Sequence, residues 1–357
     1  MQVRLLAFIS LVLAGWALKE TSTVTMPLAF AFFVAVLLQP LYEWLKKRIP
    51  RGLALAVAML ALLVVLALLA GAVWLGISPM VQQAPQYTEQ IEKSWQDVTN
   101  WAQRHNLPIP QSATGSDGLS SRLGSIAGRF VMSLWTGLGL ATLVFFLTLL
   151  ILLESSSWAE RTRKAWRGER AARILDSAAA VGRKVRQYIA IHTVLSMIAG
   201  VTEGLFLWII GVDFAFFWGF LLFVLNYIPN IGSVIAGLPP MLLAFMQGGW
   251  QLGLIAGIGL MALDNAVGYV IQPIFEGKKL VISPIVVLMS VIFWTWAWGV
   301  PGAFLAAPLT AAMLIVFAHI DGLRPWALLL SRASSPRALF EETHEDPSLA
   351  RKSNAQE

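Results

Sequence analysis

Apolar runs of about twenty residues alternate with short polar segments along most of this chain. Such runs predict membrane-spanning helices, because a helix needs about 20 residues to cross the bilayer core. The first run could also pass for a signal peptide, but its short link KETST to the second favours a helical hairpin. Six full spans are predicted, near residues 5–18, 24–41, 53–77, 130–153, 188–211 and 251–271.

Two further apolar segments, 214–247 and 284–320, are interrupted by helix breakers. The first contains LNYIPNIGSVIAGLPP, and the second contains GVPG and later Pro308. The pieces on either side of the first break have about thirteen residues each, too few for a full crossing. We therefore expect 214–247 to be a re-entrant hairpin. The halves of 284–320 are nearly long enough to cross, so that segment is either a hairpin or two full spans.

Each interrupted segment follows a full span, which makes a coarse internal repeat of helix plus hairpin. The charges between the runs predict that the two hairpins open to opposite faces and that both termini are cytoplasmic. The expected fold is an all-α polytopic membrane protein with an inverted repeat in its C-terminal half, as in secondary transporters. Its parts are the N-terminal helices 1–77, an extracytoplasmic amphipathic helix and loop 78–129, a helix and basic cytoplasmic linker 130–187, the units 188–247 and 248–330, and a disordered cytoplasmic tail 331–357.

The composition supports a membrane protein: 57% of residues are hydrophobic, 13% are charged and the mean hydropathy is +0.69. The net charge of +6 comes from basic segments between the runs, so it does not indicate nucleic-acid binding. The strongest of them, 154–187, has nine Lys and Arg. It is read as a topology determinant in preference to an anionic-lipid or nucleotide site. With no Cys and four scattered His, neither a metal site nor a cofactor is predicted.

The first break carries amides and breakers at what should be bilayer depth. Irregular backbone is tolerated there only where protein buries it or where it lines a watery cavity. The two interpretations are a plain structural turn capped by Asn and a tip that contacts a polar solute. The candidate solute-binding residues here are Asn226, Pro229, Asn230, Gly232 and Ser233.

A second candidate is the polar stretch in and after the span at 251–271. A carboxylate within an apolar span is costly unless it is paired, hydrated or protonated, which favours a function. The alternative is a carboxylate that only stabilises the hairpin. The residues are Asp264, Asn265, Gln272 and Pro273 for solute binding, with Asp264, Glu203 and Glu276 as candidates for ion coupling, and Gly299, Pro301 and Gly302 at the second break.

The chain contains no phosphate-binding loop of the G-x-x-x-x-G-K-[ST] type, no H-E-x-x-H and no G-x-S-x-G. ATP-driven transport by this chain alone and the common hydrolase sites are therefore not expected. The prediction is a non-enzymatic protein of the lipid bilayer.

The stretch FAFFWGFLLFVLNYIPNIGSVIAGLPP resembles the autoinducer-2 exporter family, as do the later motifs DN, QPIFEGKKL and FWTWAWGVPGAFLAAPLT. The resemblance covers about residues 5–330. It implies a bacterial inner-membrane secondary transporter that exports a small hydrophilic quorum-sensing molecule and assembles into homo-oligomers. Some members are instead Na⁺(Li⁺)/H⁺ antiporters, so protons or sodium are further expected partners. A non-transporting oligomeric scaffold is the remaining alternative.

Overall fold

A computed structural model of the chain describes residues 2–105, 116–166, 168–229, 231–276, 283–319 and 322–331. Within those ranges the chain is helical and forms no β-strand, which confirms the all-α prediction. The helices are α1 Gln2–Glu20, α2 Ser22–Lys46, α3 Arg51–Arg104, α4 Ser116–Ala165, α5 Glu169–Ile209, α6 Ala215–Leu225, α7 Gly232–Ala266, α8 Gln272–Glu276, α9 Pro284–His319 and α10 Arg324–Leu330, with a π-helical segment Val267–Ile271 between α7 and α8.

Six helices among the described residues are long and apolar enough to cross a membrane. This number agrees with the predicted six spans. The protein is a multi-pass membrane protein. The six are Ser22–Lys46, Arg51–Met80, Gly137–Ser155, Arg170–Ile209, Gly232–Phe275 and Ile285–Ala318.

Two helices are much longer than a bilayer requires. α3 has 54 residues and continues from its apolar part into the amphipathic segment that was predicted to begin at residue 78. α4 has 50 residues and begins at Ser116, inside the segment 78–129 that was expected to hold the amphipathic helix and a loop. Extending an existing helix adds a hydrogen bond for each residue fixed, whereas only nucleation is costly. Residues 106–115 lie outside the described part of the chain.

The first interrupted segment is a helical hairpin. α6 leads into a turn, and α7 returns antiparallel to it as far as Gln247. The backbone N–H of Asp213 donates to Gln247 Oε1 at 3.2 Å, so the two ends of the segment meet. At the turn, Pro229 has no N–H to offer the Leu225 carbonyl. The N–H of Ile228 bonds that carbonyl instead, at 2.9 Å.

Two glycines with positive φ reverse the chain again. Gly249 in α7 has φ 68° and Gly299 in α9 has φ 67°, values that other residues rarely adopt. In α9 the Trp294 indole N–H donates to Thr310 Oγ1 at 3.3 Å. A straight helix would hold these residues about 24 Å apart. The second interrupted segment therefore also doubles back, at Gly299 in GVPG.

α5 runs antiparallel to the part of α7 after Gly249. Phe206 packs at Gly259, and Ala199 shares a buried cluster with Val267. An inverted repeat requires this arrangement of its two lead helices. α6 packs very closely on α5, because a Cβ on Gly200 would lie 2.5 Å from the Gly219 carbonyl oxygen. The small residues of α5 therefore form a helix-packing surface, as in many membrane bundles.

Candidate functional site

The turn after α6 is held against α5 by two side-chain hydrogen bonds. Asn226 Nδ2 donates to Ser196 Oγ at 3.0 Å, and Ser196 has no solvent-exposed surface. The hydroxyls of Tyr227 and Thr193 lie 2.6 Å apart. The sequence analysis identified Asn226 but not these partners, which lie on α5. The spacing of Asn226 and Asn230 in the first interrupted segment does not indicate which helix the Asn226 amide will bond.

Two carboxylates of the predicted site lie on the packed helices α5 and α7. Glu203 is 5% exposed and forms no hydrogen bond with any residue that the structure describes. The carboxylate of Asp264, which is half-buried on α7, acts on Glu203 as a second negative charge. Glu203 follows Ser196 by two helical turns, about 10 Å along the same face of α5. The turn and the carboxylate pair therefore form a line of polar groups within an otherwise apolar bundle.

Asp264 and its neighbour Asn265 face different surroundings. Asp264 stands between the buried residues Leu260 and Val267, at spacings of four and three, so it lies on the packed face of α7. Asn265 is exposed, and its Nδ2 donates to the Met261 carbonyl of its own helix at 2.6 Å. Of the two residues, Asp264 faces α5, whereas the described hydrogen bond of Asn265 stays within its own helix.

The polar stripe from Asn265 onward does not follow a straight α-helix. The π-helical segment Val267–Ile271 intervenes, and its wider turn rotates the residues that follow it. Gln272 is half-buried and Pro273 is exposed. The side chain of Glu276 lies outside the described part of the structure. No residue type in the stretch indicates a π-helix, so the directions of the side chains after Ile271 could not be predicted from the sequence.

The remaining residues of the first break are distributed around the turn. Pro229 and Ser233 are half-buried, and Gly232 is buried against the Leu225 carbonyl. Asn230 lies outside the described residues. Gly232 therefore permits a close approach of two backbone segments, whereas Asn226 makes one of the two described side-chain hydrogen bonds to α5.

The second break has aromatic surroundings instead. Gly299 is exposed, Pro301 is half-buried and Gly302 is buried. The rings of Trp294 and Trp298 lie 4.6 Å apart, and the Trp298 indole N–H donates to the Leu18 carbonyl at 3.3 Å. The second turn is therefore packed against α1 and against other residues of α9. Among the described contacts, therefore, Asn226 and Asp264 both lie next to α5, and the 299–302 turn contacts α1 and α9 instead.

The assembled groups suit binding and ion exchange. Two neighbouring carboxylates can share a proton or hold a small cation, and amide and hydroxyl groups can bond a polar solute. No group of three or more His, Asp or Glu suited to a metal ion occurs in the described residues.

Comparison with known proteins gives the chain a family. A family model described as AI-2E family transporter matches residues 6–322. The chain is 30% identical over 338 residues to AI-2 transport protein TqsA of Escherichia coli K12, covering 92% of this chain and 95% of TqsA. It is also similar to a protein of Haemophilus influenzae (28% identity, covering 91% and 94%) and to YhhT of Escherichia coli K12 (27%, covering 91% and 92%), whose names propose transport without naming a solute. The chain therefore belongs to the AI-2E family of transporters.

Proposed function

We propose that this protein exports a small hydrophilic signalling molecule of the autoinducer-2 type across the bacterial inner membrane. The observation that carries the proposal is the turn at Asn226, bonded to buried Ser196 beside the carboxylates of Glu203 and Asp264. Polar groups at this depth are costly in an apolar bundle, and a polar solute would use them. The name of TqsA supports the solute class.

In the proposed mechanism the solute lies between the turn at 226–233 and the segment 264–276. Rocking of one helix-plus-hairpin unit against the other opens the site to each face in turn. The termini are cytoplasmic, and the protein works as a homo-oligomer. The turn at 299–302 supports the second unit and contributes little to the solute, because its described neighbours are aromatic.

The direct test is flux in proteoliposomes loaded with autoinducer-2. Vesicles that contain the wild-type protein should release the molecule faster than loaded vesicles without protein. Vesicles that contain Asn226→Ala should release it more slowly than those with the wild type. Thr310→Val is the matched control, since Thr310 lies in the second hairpin, where its hydroxyl accepts the Trp294 indole N–H. Equal rates for wild type, Asn226→Ala and empty vesicles would overturn the assignment of solute and site.

Access to the site can be measured separately, because the chain has no native cysteine. Single cysteines at 230 and 265 should react with aqueous maleimides from at least one side of the membrane. Protection of both positions from both sides would exclude a transport pathway here.

A second candidate function is Na⁺(Li⁺)/H⁺ antiport, and a different observation favours it. Glu203 is buried beside a second carboxylate and has no hydrogen-bond partner among the described residues, as expected of a site that exchanges a proton for a cation. Vesicles should then show sodium flux driven by a pH gradient and lost in Glu203→Gln. Absence of sodium, proton and autoinducer-2 flux together would instead favour the non-transporting scaffold.

A further inference from the structure

The half-buried guanidinium of Arg186 bonds a specific carbonyl of the neighbouring helix. Its Nη1 donates to the Val36 oxygen at 3.3 Å, which joins α5 to α2. That carbonyl lies four residues before Pro40, and proline has no N–H to complete the helical hydrogen bond. Arg186 therefore satisfies the backbone group that Pro40 leaves open.

This contact leaves most of the charge of Arg186 uncompensated. A guanidinium has five N–H donors, and the described contact uses one of them. The nearby Arg183 adds a second positive charge that repels the first. The three described salt bridges join Lys46 to Glu43, Arg161 to Glu154 and Lys164 to Glu160, so neither arginine has a described acidic partner. Partial burial of an unpaired cation is costly, which favours an anion at this place.

The position of the pair suits the headgroup region of a bilayer. α2 ends where the guanidinium of Arg48 stacks on the exposed ring of Trp44, at 4.4 Å from its centre. Such Trp and basic residues mark a membrane interface. Arg183 and Arg186 precede the apolar part of α5, which begins near residue 188 and contains no further Lys or Arg. On α2, Leu37 and Leu41 are exposed to the surroundings. A lipid at this face of α2 can therefore bring its phosphate to the arginines.

We propose that Arg183 and Arg186, at the junction of α5 with the Pro40 region of α2, bind the headgroup phosphate of an anionic lipid. The phosphate oxygens accept hydrogen bonds from the remaining N–H groups of Arg186, and the phosphate charge offsets the repulsion between the two guanidiniums. The site is independent of the transported solute and would link lipid composition to the contact between α2 and α5.

The test measures binding of phosphatidylglycerol to the full chain in neutral detergent by native mass spectrometry. A neutral glucosyl diacylglycerol gives the phosphate-free comparison, and inorganic phosphate serves as a competitor. Arg186→Gln should weaken phosphatidylglycerol binding about fivefold, the contribution of one basic residue at an anionic surface. Arg183→Gln should weaken it in the same direction, and Arg186→Lys should retain part of the binding. The matched control is Arg170→Gln, which removes an exposed arginine from the same helix.

Three results would overturn the proposal. The first is equal binding by the 186, 183 and 170 variants, which would make the attraction a general surface effect. The second is displacement of the lipid by millimolar inorganic phosphate, which would assign the arginines to a free ion. The third is a fivefold or larger gain on removal of residues 332–357, since the acidic stretch EETHED in that tail would then be the anion. If Arg186→Gln does not reach the membrane, the exposed Arg183→Gln variant carries the same test.

Discussion

The two interrupted segments share one architecture and differ in chemistry. Both are helices that reverse at a break, and each follows a long helix of the bundle. The turn at Asn226 meets α5 through amide and hydroxyl groups, next to two carboxylates. The turn at Gly299 meets α1 through tryptophans and the ammonium of Lys19, which lies 5.0 Å from the Trp296 ring centre.

This difference indicates that the contacts of the second turn hold helices in place, whereas the polar groups of the first turn can bind a solute. Tryptophan and lysine contacts anchor a helix at a boundary and contribute packing area. Buried amides and carboxylates contribute little net stability and are costly when a partner is lost. A broken helix is therefore not by itself a binding site. The polar groups around the first break make it the candidate.

The largest expected effect comes from the carboxylates beside the first break. Glu203→Gln and Asp264→Asn should each reduce transport to the level of empty vesicles, because both proposed functions use this pair. Thr310→Val is the control in the second hairpin, where it removes only the acceptor of the Trp294 indole. Flux would be measured in proteoliposomes at matched protein content. A loss in Thr310→Val as deep as in Asp264→Asn would erase the distinction between the two breaks.

The next effect concerns the hydrogen bond that fixes the first turn. Asn226→Ala leaves the fully buried Ser196 hydroxyl without its amide donor, which should lower the free energy of unfolding by about 1–3 kcal/mol. Asn265→Ala removes an exposed amide bonded to its own helix and should change it by less than about 0.5 kcal/mol. Denaturation in detergent monitored by circular dichroism would compare the two. Equal losses would mean that Asn226 does not hold the turn through Ser196.

Much of the fold could be predicted because its signals are local. Apolar length gives the spans, Pro and Gly give the breaks, and continued periodicity gives the extension of α3 beyond residue 78. The early start of α4 at Ser116 was missed because Gly, Ser and Pro outweighed the low cost of lengthening a helix.

The site could be predicted only as a set of residues. Asn226 and Asp264 were found because polar groups are conspicuous in an apolar run. Their partners Ser196 and Glu203 lie on another helix, and one sequence does not state which faces meet. Asp264 and Asn265 were both predicted to bind the solute and differ in the fold, since adjacent helical residues point about 100° apart.

A smaller effect is expected at the aromatic turn. Trp298→Phe keeps a ring in place and removes the indole donor to the Leu18 carbonyl, so stability should fall by about 1 kcal/mol. Transport should remain near that of the wild type. Trp208→Phe is the control, since Trp208 is 71% exposed. Thermal unfolding and flux would be measured on the same samples. If Trp298→Phe abolished flux without loss of stability, the second break would have to join the transport site.

The smallest effect concerns the cation that faces the same turn. Lys19→Gln removes the ammonium over Trp296 and should reduce stability by about 0.5–1 kcal/mol, as for exposed cation–π pairs. Lys47→Gln is the control, because no described contact joins Lys47 to a ring. Raising the salt concentration should weaken the difference only slightly, since a cation–π pair has no second full charge to screen. A shift in thermal midpoint equal to that of Lys47→Gln would show that α1 is held to this turn by the Trp298 hydrogen bond and apolar packing alone.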